Sequence, residues 1–276
     1  MMDRQAMAHK PADMVVNAGV VNLYRHPAFA SEVVSQAFLG ECPTVIGQQG
    51  KWFKLRQWDG YEGWVYYFYL AHSPGYFNGA RELTVLSPVV NIRSEPSDGA
   101  RVIRDAVYTS RLPVNAQSGG WNQVALPDGA EGWIAGQHDG FSGSRREQLV
   151  AIGMQFLGAP YMWGGKSVRG FDCSGLVQTI YKGIGVGLPR DAHLQHRFED
   201  LPGTSPELAA AGDLFYFSDT GEGITHVAMS IGGAQFIHAS GWVKMESLSA
   251  GDDNFNHLLK GLYSGAKDMS RLIDAD

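Results

Sequence analysis

The stretch GFDCSGLVQTIYKGIGVGLPRD, Gly170 to Asp191, opens on an Asp-Cys-Ser triplet and closes on Pro-Arg-Asp. Residues 171–183 between them read as a helix, with Leu176, Val177, Ile180 and Tyr181 on its inner face. Asp172 suits the N-cap, which makes Cys173 the first helical residue. Free backbone N–H groups and the helix dipole favour an anion there, so the thiol pKa is expected to fall and the sulfur to serve as a nucleophile. The competing reading is an inert buried cysteine, the commoner fate of this residue type.

The surrounding sequence indicates an α+β domain. Ser144 is a good N-cap for a helix beginning RREQLVAIGMQFLG, with Leu149, Ile152, Phe156 and Leu157 at helical spacing. From Gly212 the pattern changes to strands: GDLFYF, THVAMSIGG and AQFIHAS. Helices first and an antiparallel sheet afterwards is the α+β order. Asp213 reads as a turn residue before a strand.

A catalytic cysteine needs a base, and the base needs a partner that fixes its tautomer. His226 and His238 flank the Gly232-Gly233 hairpin. A lone strand histidine is ordinarily structural; two around one hairpin, downstream of such a cysteine, point to catalysis. Side chains alternate along a strand, so a regular two-residue turn at Gly232-Gly233 would put the two rings on opposite faces. They work together only if the connection is odd in length or a bulge slips the register by one, and such an irregularity is expected.

The first half of the chain contains a repeat. VVNLYRHP at Val20 returns as VVNIRSEP at Val89, KWFKL returns as GWNQV, and DGYEGWV returns as DGAEGWI, at a constant offset of 69 residues. Each copy holds short β-rich segments broken by Gly, Pro and Asp-Gly, suited to a small closed barrel. The copies resemble bacterial SH3-like domains, which end on Gly-Trp-Val; here these are Gly63-Trp64-Val65 and Gly132-Trp133-Ile134, with each Trp read as a core residue. Ala71–Ala80 and Gly136–Ser144 read as linkers. The expected architecture is therefore multidomain: barrels over 1–74 and 75–140, then an α+β domain over 141–276.

Bulk properties narrow the partners. Lys+Arg 22 against Asp+Glu 28 gives −6, which disfavours nucleic acid. No signal peptide and no span of about twenty apolar residues is visible, so no membrane partner is expected and the chain as given reads as cytoplasmic. The two cysteines allow one disulfide at most, and Cys42 reads as a small buried residue. Neither Cys-x-x-Cys nor His-Glu-x-x-His occurs, so no metal or other cofactor is expected, although Cys and two His are acceptable zinc ligands in type.

FDCSGLV, HVAMSIGG and FIHAS, preceded by PYMWGG, resemble the NlpC-type cysteine peptidases, a papain-like group that cuts peptidoglycan stem peptides. The resemblance covers about residues 145 to 276. It implies Cys173 as nucleophile, His226 as base and then acid, His238 as the orienting group, and Tyr161 with the Cys173 N–H at the oxyanion. The paired barrels resemble the subgroup that cleaves between γ-D-glutamate and a diamino acid, diaminopimelate or lysine. In that subgroup carboxylates hold the free amine of the substrate's L-Ala. The resemblance assigns this role to Asp191, flanked by Asp172 and Ser174, and takes Glu32 and Tyr66 or Tyr67 from the first barrel. The implied activity is hydrolysis of free murein peptides. A secreted hydrolase of intact wall with wall-binding barrels, and a non-catalytic wall-peptide binder, are the alternatives.

Overall fold

The computed structural model describes residues 13–136 and 140–274. The first barrel comprises β1 (Met14–Val16), β2 (Val20–Tyr24), β3 (Val33–Phe38), β4 (Thr44–Gln49), β5 (Trp52–Arg56), β6 (Glu62–Tyr66) and β7 (Leu70–His72). A five-stranded sheet runs β3-β2-β6-β5-β4, with β1 and β7 paired apart. The second barrel comprises β8 (Arg81–Thr84), β9 (Val89–Arg93), β10 (Val102–Val107), β11 (Arg111–Ser118), β12 (Trp121–Ala125) and β13 (Glu131–Ala135) in one sheet, β10-β9-β13-β12-β11-β8. In the stretch that reads as the second linker, residues 137–139 lie outside the described residues.

The sequence repeat reappears as a core repeat. Leu23 and Ile92, Leu55 and Val124, Val65 and Ile134 are equivalent at the 69-residue offset, and all six are buried. Strand alternation then puts Gly63 and Gly132 inward as well. A Cβ on Gly63 would lie 2.7 Å from Leu23, and one on Gly132 2.4 Å from Ile92, so glycine allows the strands to approach. The intervening Trp64 and Trp133 face the other way and are only half-buried, which corrects their reading as core residues. Cys42 is also exposed rather than buried; the neighbouring Pro43 takes the inward position.

The third domain holds α1 (Arg145–Met154), β14 (Lys166–Ser167), β15 (Gly170–Phe171), α2 (Cys173–Gly183), α3 (Ala192–Arg197), β16 (Gly203–Thr204), β17 (Leu214–Phe217), β18 (His226–Gly232), β19 (Gln235–Ser240), β20 (Trp242–Ser247), α4 (His257–Leu262), β21 (Tyr263–Lys267) and α5 (Ser270–Ile273). Its main sheet is antiparallel in the order β16-β21-β17-β18-β19-β20. Ser144 and Glu147 form a reciprocal capping box at the start of α1. The apolar faces of α1 and α2 meet Val227, Met229 and Ile237 of the sheet. On the other face Phe215, Phe217 and Phe236 pack with Leu259 and Leu262 of α4. Leu157, expected inward, is exposed, because α1 ends at Met154 and only Phe156 of the following turn points into the core. Asp213 is buried, pairs with Arg146 and accepts from the backbone N–H of Ala210 and Met269, a structural role.

The first barrel is docked on the catalytic-type domain through directed contacts. Gln36 Oε1 accepts from the Lys166 N–H at 2.9 Å, Gln178 Nε2 donates to Asp59 at 2.8 Å, and Lys182 pairs with Glu41 at 3.0 Å. Gly164 sits in this seam with φ +77°, and a Cβ there would lie 2.6 Å from the Val33 carbonyl oxygen. Gly50 has a similar φ, +56°, with open space around it. Gly164→Ala is therefore expected to lower unfolding free energy by about 2–3 kcal/mol and Gly50→Ala by about 1 kcal/mol, since only the first adds a clash to left-handed strain. Equal losses in urea titrations would mean the seam is not closely packed.

Candidate active site

Asp172 leaves β15 with extended backbone and caps α2 by accepting from the Gly175 N–H at 2.7 Å. Its carboxylate also accepts from the Gly164 N–H at 2.9 Å and from both terminal nitrogens of Arg190, at 2.9 and 2.5 Å. Arg190 is 2% exposed and also donates to Ser174 Oγ at 3.0 Å. The fork geometry of a guanidinium suits such a two-point pair. Asp172 and Ser174 thus both stand in the cleft wall, as expected of them, and both are also engaged by Arg190. Arg190 escaped the sequence reading although it lies in LPRD; a buried acid at a helix start calls for such a partner.

Cys173 is 8% exposed and opens onto a cleft of about 560 Å³ that His226 also lines. The backbone N–H groups of Val227 and Ser174 lie near the sulfur and favour its anionic form. Burial, followed by the charge of Asp172, pushes the thiol up to about 11. This overturns the expected fall: the helix terminus is outweighed by lost solvation and by the carboxylate one residue away. Burial, helped by the neighbouring imidazole, also pushes His226 down to about 3. The resting pair is a thiol beside a neutral imidazole.

The hairpin register slips by one between Ser230 and Gly232, so that Met229 pairs with Ile237 while Gly232 pairs with Gln235. The slip puts His226 and His238 on the same sheet face, with Nε2 of His226 2.9 Å from Nδ1 of His238. That face lies opposite the one covered by α2, and His226, the first residue of β18, lines the same cleft as Cys173. Behind them stands a residue that no motif flagged. Glu246 Oε2 is 2.9 Å from His238 Nε2, while the same carboxylate accepts from Asn256 at 2.6 Å and pairs with Lys244 at 3.0 Å. The oxygen lies off the line of the His238 N–H, so this is a close carboxylate–imidazole contact rather than an aligned hydrogen bond. Burial raises the Glu246 pKa, but His238, Asn256 and Lys244 outweigh it and hold it at about 2.

The rest of the cleft is lined by Asp191, Tyr61, Glu32, Arg25, Tyr161 and Trp163, among others. Asp191 occupies the N-cap position of α3, yet its side chain makes no capping bond. Instead it lines the cleft beside Tyr61 of the first barrel, and burial raises its pKa. Glu32 pairs with Arg25 at 2.5 Å and accepts from the Trp163 indole N–H at 2.8 Å. Tyr161 is 37% exposed and therefore no core residue; burial, then Cys173 and Asp172, push its pKa up to about 12.

Tyr66 and Tyr67, expected in the cleft, are not among its lining residues. Tyr66 packs with Phe29, Trp52 and Phe68, and Tyr67 lies under Lys51. The first barrel's contribution is Tyr61. Its signal lay in the repeat: DGYEGWV has Tyr61 where DGAEGWI has Ala130, and the ring both packs on the first barrel's core and reaches the cleft.

Cysteine at a buried helix start, two imidazoles in contact on an antiparallel sheet, and a cleft between them define a papain-like cysteine hydrolase. Residues 158–254 match the NlpC/P60 family, 23–66 the bacterial dipeptidyl-peptidase Sh3 domain, and 88–138 the bacterial SH3 domain. The chain is 33% identical over 229 residues to a γ-D-glutamyl-L-lysine dipeptidyl-peptidase of Bacillus cereus, covering 76% of this chain and 68% of that one. It is 29% identical to the protein of the same name in Bacillus subtilis, over 75% and 72% of the two chains. The crystal structure of a Bacillus cereus NlpC/P60 family protein superposes with a TM-score of 0.78 at 25% identity, over 92% and 98% of the chains. The chain belongs to the NlpC/P60 family of cysteine peptidases.

Two outcomes follow from the geometry. Because the raised thiol pKa leaves little thiolate at neutral pH, inactivation by the uncharged alkylator iodoacetamide is expected to accelerate continuously from pH 7 past pH 9. A rate plateau spanning pH 5 to 8 would instead report a preformed thiolate–imidazolium pair. Arg190→Met strands the Asp172 charge and is expected to cost about 3–5 kcal/mol of stability, measured by denaturant unfolding. Arg190→Lys should recover only part of this, since one ammonium cannot replace two parallel N–H donors.

Proposed function

We propose that the chain hydrolyses the bond between γ-D-glutamate and a diamino acid in murein peptides that begin with a free L-Ala. The observation that carries this reading is Asp191. It is a partly buried carboxylate that caps nothing, stands beside Tyr61 from another domain, and shares one cleft with Cys173. A group so placed is suited to a cation, because an ammonium removed from water must recover its hydration in charge-assisted hydrogen bonds. The chemistry named for the Bacillus relatives has the same form.

In this reading the thiol of Cys173 attacks the γ-carbonyl carbon of D-Glu as its proton passes to Nδ1 of His226, the ring nitrogen not engaged by His238. The Tyr161 hydroxyl and the Cys173 N–H receive the developing oxyanion. Collapse expels the diamino acid's amine, which takes the proton back from His226. Water then cleaves the thioester, releasing L-Ala-D-Glu.

Asp191 and Tyr61, with Glu32 nearby, hold the L-Ala ammonium and thereby set the distance to the scissile bond. Peptide still joined to muramic acid carries an amide in place of the amine and is rejected. Hydrolysis of L-Ala-γ-D-Glu-diaminopimelate is accordingly expected to exceed that of its N-acetyl form by about 100-fold in kcat/KM, the scale of one buried charge-assisted contact. Comparable turnover of the two peptides by product chromatography would refute amine recognition, and turnover by Cys173→Ala would refute the cysteine mechanism.

A further inference from the structure

A tautomer problem stands behind the two imidazoles. One proton lies between His226 Nε2 and His238 Nδ1, 2.9 Å apart, and either ring can carry it. If His238 donates, neutral His226 holds its other proton on Nδ1 and cannot accept one from a thiol. If His226 donates, its Nδ1 is bare and basic. The two rings alone do not choose.

The sheet supplies a third group in line. His226 and His238 stand on one face of neighbouring strands. His238 pairs across β20 with Lys244, and Glu246 lies two residues further along the same face, the diagonal neighbour. The slipped register therefore lays His226, His238 and Glu246 diagonally over β18, β19 and β20. His238 is 1% exposed, and its Nε2 has no aligned hydrogen-bond partner; the nearest polar atom the structure gives it is Glu246 Oε2 at 2.9 Å. The other groups facing the pair are the Lys244 ammonium, held on the far oxygen of Glu246, the Asn256 amide, which also donates to Glu246, and the Phe217 and Phe236 rings.

We infer that Glu246 is a positioning residue that sets the tautomers of both histidines in succession. A carboxylate 2.9 Å from a buried ring nitrogen repels its lone pair and favours an N–H there, whether or not the bond is straight. With the proton on Nε2, His238 presents an Nδ1 lone pair to His226. His226 must then donate from Nε2 and keeps Nδ1 free to deprotonate Cys173. When His226 takes that proton, the negative charge at the far end of the line favours the imidazolium through His238. A Cys-His-His set whose third member is a neutral ring thereby acquires the charge it otherwise lacks.

The inference rests on the proposed role of Cys173 and His226, and the two are separable: turnover by Cys173→Ala refutes the peptidase reading without bearing on the tautomers. The test is the histidine ¹⁵N spectrum of the full chain, joined to kinetics on the free tripeptide. The native protein is expected to show Nε2–H and unprotonated Nδ1 on both His226 and His238. Glu246→Gln, close in shape but uncharged, is expected to mix the tautomers and lower kcat by about 10- to 100-fold with KM within about twofold. That is less than the ~10⁴-fold cost of removing a carboxylate in direct contact with a catalytic base. Glu246→Asp keeps the charge and should keep the native tautomers. A native spectrum with Nδ1–H on His226 would overturn the inference with no variant needed, and so would a Glu246→Gln protein with native spectrum and native kcat.

Discussion

The buried pair of Arg190 and Asp172 is the constraint from which the site is built. Asp172 does three things at once: it caps α2, anchors the Gly164 N–H of the preceding loop and accepts both arms of Arg190. Such a carboxylate would be a liability beside a nucleophile if left unpaired, because it raises the thiol's pKa and is itself costly to bury. The guanidinium resolves the second problem and reduces the first. It also ties the helix start to the segment that carries Asp191, the next residue in sequence. Cys173 and the proposed amine acceptor are therefore fixed relative to each other by one ion pair, and in the proposed mechanism the length between them would select which bond reaches the sulfur.

The first barrel is a component of this cleft rather than an appendage. It contributes Arg25, Glu32 and Tyr61, and its docking contacts run through Gln36, Glu41 and Asp59 to residues around α2. The second barrel keeps the same core at the 69-residue offset but has Ser94, Arg101 and Ala130 where the first has Arg25, Glu32 and Tyr61. Two copies of one fold, alike in the positions that make a barrel core and different at the positions that line the cleft, have diverged. The second barrel instead meets the other domains through Arg104, which contacts Asn17 of the first barrel, through Asp105 on Arg169, and through Tyr108 packed edge-on against Phe156.

What the sequence disclosed and what it hid divide along physical lines. The repeat, the helix start at Cys173 and the need for a slipped hairpin follow from local rules: spacing, capping and side-chain alternation. Arg190, Tyr61 and Glu246 depend on which segments meet in space, which no local rule supplies. Several tyrosines of the barrel have the chemistry for the cleft, and only the packing of the domains brings Tyr61 there in place of Tyr66 or Tyr67. The thiol pKa failed differently. The helix-terminus effect was correctly recognised, but it is a fraction of a charge, whereas the depth of burial and the adjacent carboxylate could be weighed only with coordinates.

That last failure bears on how the enzyme works. A resting thiol and neutral imidazole carry no net charge, so the empty site does not have to bury an ion pair. Charge arises only when the sulfur attacks, and it arises as a thiolate-derived oxyanion at one end and an imidazolium at the other. Groups that are fixed beforehand and aimed at those two places lower the transition state without stabilising the resting enzyme. In the proposed mechanism Tyr161 and the helix N–H serve the first, and the line through His238 to Glu246 serves the second. A peptide covering the open side of the cleft would strengthen both, because the same charges would act through less water. A cysteine that rests as a thiol is then no contradiction for a peptidase, because the charge it needs forms only as the bond is attacked.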